Sequence, residues 1–351
     1  MENKTKSAQS RQKTPNGYLN HFQFNRKFLD PIVKFLKKHD KFIITTHIGS
    51  DPDGLGSEIG IYYILKKLKK QVYIINAEKV PENYSFMAPD GLIKNTEQDL
   101  EEIQQMDLSG FVLLIMDNSE ISRTGKILEI SGKFKCPYAS IDHHLVKKTK
   151  NFFVDASYAA TSEIVWELFR YLKIPVSRDI AIMLYCGIIA DTGNFRFTKT
   201  SFRTHVAGGD LVNAGANSDE IYRKLFESSP PDRLKLLRRI LEKAIINTEK
   251  KYVVGFVKKE MFKKLKLGDT PTEGIVNQIL SVRDIEISAL MTETPNGDLK
   301  CSLRSIGEIN VALLARKFGG GGHKNAAGLY IKGPFKRAAK KVIAEIEKAL
   351  Q

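Results

Sequence analysis

The chain has 351 residues, is 42% hydrophobic, and carries a formal net charge of +15 with three cysteines. That length suggests two domains at roughly 100–200 residues each, and no apolar run approaches the ~18 residues needed for a membrane helix. The scattered Cys136, Cys186 and Cys301 exclude both a disulfide framework and a C-x-x-C metal knuckle, and the charge favours an anionic partner without establishing nucleic-acid binding.

Residues 1–22 are polar and basic without periodicity and are expected to form a disordered tail. With no apolar signal core at the N-terminus, a reducing cytoplasm is the expected compartment. From Phe28 the pattern turns α/β. Phe28, Leu29, Ile32, Val33 and Leu36 make a helical stripe, Phe42–Thr46 a strand, and Ile59–Leu68 an amphipathic helix. A second strand follows at Val72–Asn76, and Leu92–Met106 is expected to be partly helical. Phe111–Met116 is a continuous apolar run, the mark of a strand buried on both faces. Tyr138–Ile141 is a further strand. Helical patterns then cover Ser162–Leu172, Ile180–Ile189, Ser201–Ala214 and Ser218–Phe226. Strands alternating with helices predict a parallel sheet.

Pro230-Pro231-Asp232 breaks the pattern, and a charged connector helix is expected from Asp232 to about Ala244. The expected division is 23–228, a linker at 229–244, and a smaller α/β unit at 245–351. That unit reads as a strand (Tyr252–Val257), a helix (Glu273–Leu280) and a strand pair (Ile285–Thr292, Leu299–Arg304) across the turn Pro295-Asn296-Gly297-Asp298. A helix (Ile309–Lys317), a run of four glycines, a strand near Leu329–Ile331 and a closing helix (Phe335–Leu350) complete it.

Chemistry concentrates where the buried elements end. After the first strand comes His47-x3-Asp51-x-Asp53, with Gly56-Ser57 beyond. Open α/β sheets bind ligands at that edge, and two acids spaced D-x-D share a face of an extended chain. Carboxylate with neutral imidazole suits Mn, Zn or Fe better than Ca. Alone, the stretch could equally be a surface turn or a phosphate loop, although a phosphate cradle would avoid carboxylates beside its amides. Further along, Asp117 closes the apolar run, Asp142-His143-His144 closes the next strand, and Asp191-Thr192-Gly193 closes a buried helix. Each could be a cap or polar loop by itself; four together are harder to dismiss.

These motifs, in this order, resemble the DHH phosphoesterase superfamily, and Gly319-Gly320-Gly321-Gly322-His323 with Ala326-Ala327-Gly328 resembles its DHHA1 domain. The likeness runs from about residue 25 to 350. It implies a parallel-sheet DHH catalytic domain joined by a helical linker to a smaller DHHA1 domain. It also implies a site for two divalent metal ions, usually Mn2+, ~3.5–4 Å apart. His47, Asp51 and Asp117 would hold one ion; Asp53, Asp117, His143 and Asp191 the other. Asp142 would orient a histidine ligand, and His144 would face the phosphate. Ser50 and Gly54 depart from the commoner proline and alanine of the family.

By the same resemblance the substrate is a short oligoribonucleotide or linear dinucleotide hydrolysed to nucleoside monophosphates, with adenosine 3′,5′-bisphosphate as a further candidate. A cyclic-dinucleotide phosphodiesterase and, in a different class, a non-catalytic RNA-binding protein are the rival expectations. A manganese pyrophosphatase fits less well, because that branch has no counterpart of the glycine loop. Arg304, Gly320, Gly321, Gly322 and His323 are expected to bind substrate, the glycines through backbone amides. Arg123 is either a phosphate contact or a surface residue. No membrane partner is expected, and a homodimer is left open.

Overall fold

The computed structural model describes residues 22–133, 135–144, 151–263, 265–267, 272 and 274–350. The expected basic tail therefore lies outside the described residues except for Phe22, as does Glu273, the expected start of a helix.

Among the described residues the first sheet is parallel throughout, in the order β3-β2-β1-β4-β5-β6. Its strands are β1 (Lys41–Thr45), β2 (Gln71–Asn76), β3 (Ile93–Asn95), β4 (Val112–Met116), β5 (Tyr138–Asp142) and β6 (Phe152–Val154). The central strands are apolar on both faces, and the residues alternate between two cores. Phe42, Ile44, Val112, Leu114 and Met116 enter one; Ile43, Leu113 and Ile115 enter the other. Strand order reverses between β1 and β4, so the crevice at their carboxyl ends is a topological switch point.

Helix α1 (Arg26–Lys38) buries Leu29, Ile32, Val33 and Leu36, as its stripe requires. Helices α2 (Pro52–Lys67), α5 (Thr161–Tyr171) and α6 (Arg178–Asp191) share one core through Leu55, Ile59, Ile164, Leu168, Leu184 and Ile188. Helices α7 (Phe202–Asn213) and α8 (Ser218–Phe226) follow. The stretch Leu92–Met106 is partly helical, as expected. It splits into β3 and α3 (Leu100–Gln105), because the Asn95 side chain accepts from Glu97 N and Gln98 N and turns the chain between them. Helix α4 (Lys126–Lys133) precedes β5.

The second sheet is mixed, in the order β11-β12-β10-β9-β8-β7. Its strands are β7 (Ile245–Asn247), β8 (Tyr252–Val257), β9 (Ile287–Glu293), β10 (Leu299–Ser305), β11 (Gly321–His323) and β12 (Ala326–Ile331). β8 and β9 run parallel, and the other pairs are antiparallel. One face carries α11 (Val311–Arg316) and α12 (Phe335–Ala349), with Val311, Leu314, Ala338 and Val342 in its core. The other carries α9 (Pro231–Leu241) and α10 (Ile275–Ile279). Leu236 and Ile240 of α9 sit among Val253, Val257 and Ile279, so the connector helix packs on the second sheet. The glycine run is partly strand: Gly321, Gly322 and His323 pair with Gly328, Ala327 and Ala326. No described helix is long and apolar enough to cross a membrane.

Candidate metal centre

His47 follows β1 and is buried. Its Nδ1 lies 2.9 Å from the Ile48 carbonyl. A carbonyl only accepts, so Nδ1 keeps a proton and Nε2 is the nitrogen left for a ligand. That nitrogen faces Asp51 Oδ2 and Asp117 Oδ2, each at 3.7 Å.

Asp51 and Asp53 do not share an extended strand, contrary to the D-x-D expectation. Pro52 opens α2, so Asp51 is its N-cap and Asp53 lies in its first turn. One oxygen of Asp51 accepts from Asp53 N and Gly54 N at 3.0 and 3.1 Å, which leaves the other for His47. The amides that a phosphate loop would offer are thus already taken. Asp53 turns toward α5, a helix whose N-cap, Ala160, provides no side-chain acceptor. Asp53 fills that role from 108 residues away, accepting from Thr161 N at 2.6 Å and Ser162 N at 2.8 Å.

Asp117 lies in the left-handed region at φ 55, where a non-glycine residue is uncommon and aspartate among the better tolerated. Thr46 Oγ1 donates to the neighbouring Met116 carbonyl at 3.0 Å, and Asp117 N donates to Ile141 O. Its two oxygens face apart. Oδ2 looks to His47, while Oδ1 accepts from Thr161 Oγ1 at 2.8 Å and lies 3.5 Å from His143 Nε2. His143 Nε2 also faces Asp53 Oδ2 at 3.8 Å and Asp191 Oδ2 at 3.0 Å.

Asp142 orients His144, the outer imidazole. His144 Nδ1 and backbone N reach Asp142 Oδ1 at 2.7 and 3.0 Å. His143 instead lies 3.4 Å from the Tyr158 carbonyl. His144 is 29% exposed at its side chain, so it is the imidazole open to an incoming molecule.

The electrostatics follow from this crowding. Burial, then the charges of Asp117 and Asp191, push Asp53 well above the usual carboxylate range. Burial also raises Asp191, against the opposing pull of His143. Burial opposes a charge on His47, but Asp117 and Asp51 outweigh it and bring it up to about 11. The same contest, won by Asp142 and Asp117, brings His144 up to about 9. Burial raises Asp51 and Asp142, and His47 and His144 respectively more than reverse it.

A divalent cation fits these donors. Several His–Asp separations are 3.5–3.8 Å, too long for hydrogen bonds. Ligand bonds of about 2.0–2.2 Å put neighbouring donors of one ion roughly 3.0–3.6 Å apart. Three groups of donor atoms lie within reach of a shared ion. They are His47/Asp51/Asp117, Asp53/His143/Asp191, and Asp117/Asp142/His143/His144. An acid-rich buried cluster of this kind is stable only with compensating positive charge.

A family model described as the DHH family, N-terminal domain, matches residues 41–188, and one described as the DHHA1 domain matches 249–351. A Mycoplasma pneumoniae protein named bifunctional oligoribonuclease and PAP phosphatase NrnA is 30% identical, covering 91% of this chain and 95% of that one. The chain belongs to the DHH/DHHA1 phosphoesterases. A Thermus thermophilus protein of the same name is 27% identical, covering 83% of this chain and 84% of that one. The crystal structure of an exopolyphosphatase-related protein from Bacteroides fragilis aligns at TM-score 0.84 and 26% identity, covering 93% and 97% of the two chains. The acid–imidazole cluster is therefore that of a phosphoesterase and is consistent with divalent-metal binding.

The remaining expected residues of this DHH/DHHA1 chain lie farther out. Arg123 is exposed on a turn after Asp117, and its carbonyl accepts from Ile48 N at 2.7 Å, bracing the His47 loop. Arg304 is half-buried near the end of β10 and donates to the Leu303 carbonyl. Burial lowers its pKa, and the charge of Asp191 opposes this. Arg304 pairs with Ala326, which pairs with His323, so the three form one row across β10, β12 and β11. Gly320 N donates to Ala315 O at 2.9 Å, so that amide is not free for an anion. Gly321 and Gly322 run in β11 beside β12.

Several residues were missed. Thr161 and Ser162 hold Asp53 and Asp117; the small residues before a helix, Ala159-Ala160-Thr161-Ser162, were an available signal. Gly187 of α6 leaves room for that contact, since a Cβ there would lie 2.1 Å from Ser162 Oγ and 2.8 Å from Asp53 Oδ1. Lys199 donates to the His143 carbonyl at 3.3 Å, and no local pattern announces it.

Proposed function

We propose that this phosphoesterase hydrolyses short oligoribonucleotides and linear dinucleotides to nucleoside monophosphates, using two Mn2+ ions. Adenosine 3′,5′-bisphosphate is a second substrate in this reading. The observation that carries it is Asp117, whose two oxygens address two different acid–imidazole groups. The bifunctional activity in the relatives' names supports the substrate class.

His47, Asp51 and Asp117 would hold one ion; Asp53, Asp117, His143 and Asp191 would hold the other. Bound there, the ions supply positive charge for the phosphoryl oxygens and lower the pKa of water. The chain's own contribution is orientation. Backbone and hydroxyl donors from the Asp51 and Thr161 turns fix Asp51, Asp53 and Asp117 before substrate arrives. His144, its ring fixed by Asp142 and open to an incoming molecule, faces a phosphoryl oxygen. Arg304 approaches from the second sheet, with Gly320, Gly321, Gly322 and His323 of the adjoining hairpin at the far end of the substrate and Arg123 at the rim. A substrate held from both sides is necessarily short.

Turnover of di- and trinucleotides with Mn2+ is expected to exceed that of a much longer strand by at least tenfold, about 1.4 kcal/mol. Equal rates reject the reading, and running cyclic dinucleotides, pyrophosphate and adenosine bisphosphate alongside separates its rivals.

A further inference from the structure

Lys199 lies in the loop after α6, beyond Asp191. It is half-buried, with one hydrogen bond, to the His143 carbonyl at 3.3 Å. An ammonium has three donors. Among the described residues Lys199 forms no ion pair, although Asp191, Asp142, Asp117 and Asp53 lie close enough for their charges to act on it. The next residue adds an orphan: Thr200 Oγ1 is buried without a hydrogen-bond partner.

Arg304 is in a comparable state. Its guanidinium donates to the neighbouring Leu303 carbonyl and, among the described residues, joins no ion pair; yet Asp191 acts on its charge too. Partly buried cations left unpaired are costly. Divalent ions held by the acids would consume the negative charge that Lys199 and Arg304 now feel, and add repulsion. A bound anion removes that conflict.

We infer that Lys199, which reaches the His143 carbonyl at the edge of the metal centre, grips the scissile phosphoryl group, with Arg304 as a second cation for it. The inference rests on the phosphoesterase reading and deepens it, because it names a substrate contact on the first sheet that the motifs do not contain. Lys199 then holds the phosphoryl oxygens before bond breaking and in the released monophosphate. Binding of a bare phosphate therefore reports it without turnover.

The test uses the full chain loaded with Mn2+ and titrates inorganic phosphate by calorimetry, alongside kcat and KM on a dinucleotide. Lys199→Ala is expected to weaken phosphate binding about 10- to 100-fold, the range for a hydrogen bond to a charged group. It should lower kcat/KM comparably and leave Mn2+ affinity and Tm unchanged. Lys199→Arg should restore most of the phosphate affinity. If Lys199→Ala does not fold, Lys199→Gln, which can still reach the His143 carbonyl, replaces it with the same expected loss. Unchanged phosphate affinity in the variant, or a wild type that binds no phosphate, overturns the inference. So does a loss traced wholly to weaker Mn2+ binding, since Lys199 would then only balance the acids. Phosphate binding through Lys199 in a protein that cleaves no phosphoester would sink the proposed function and leave this inference standing.

Discussion

At the carboxyl edge of the first sheet, Asp51 and Asp53 each accept two backbone amides, and Asp117 takes a hydroxyl from a rigid helix start. In the second sheet Arg304 has, among the described residues, one hydrogen bond, to its own neighbour's carbonyl, and lies in a row with a three-residue strand. The first region is over-determined; the second has slack. Donors that must meet a cation need placement within about 0.5 Å. The two regions therefore differ in how tightly their polar groups are placed.

The contrast predicts steep losses in the first region and shallow ones in the second. Asp117→Ala should abolish turnover, by about 1000-fold or more, while far-UV circular dichroism stays native; surviving hydrolysis would reject the shared-acid arrangement. Chelation should stop activity equally well and lower Tm. Re-adding Mn2+ at about 100 times its Kd should return about 2.7 kcal/mol of stability, and a Tm indifferent to metal would mean that the acids hold none. Gly187→Ala comes next. Its Cβ would strike the Asp53 carboxylate and Ser162, so Mn2+ affinity should drop about 10- to 100-fold. Arg304→Ala should raise KM about tenfold with a smaller change in kcat; a larger effect than that of Gly187→Ala would erase the contrast.

Metal binding should also depend on pH. The His47 pKa in the metal-free fold is about 11, above its usual 6.5. Its charge stabilises the metal-free protein fully below pH 6.5, and that contribution disappears as pH rises through 11. A cation must displace this proton, so Mn2+ affinity should rise with pH, by about tenfold per unit for one proton released. Titrating Mn2+ at pH 6.5, 7.5 and 8.5 checks the slope; a flat response would show that His47 is no ligand.

How much of this was legible depended on whether the signal was local. Phe111–Met116 followed by Asp117 announces a buried strand ending in an acid, and the same logic located Asp142 and Asp191. The strands β3, β6 and β11 have three residues each, too few for a period to develop. The D-x-D stretch misled because Pro52 permits the first turn of a helix as readily as an extended chain. Thr161, Gly187 and Lys199 matter only through neighbours distant in the chain. One sequence carries no trace of who those neighbours are.

Gly54 links two positions that selection cannot treat separately. A methyl group there would sit 2.4 Å from the Thr46 hydroxyl. That hydroxyl secures the peptide just before Asp117. Alanine at 54 therefore requires the Thr46 side chain to shift or be replaced, and either disturbs the bond to the peptide before Asp117. The two positions are coupled through one oxygen atom.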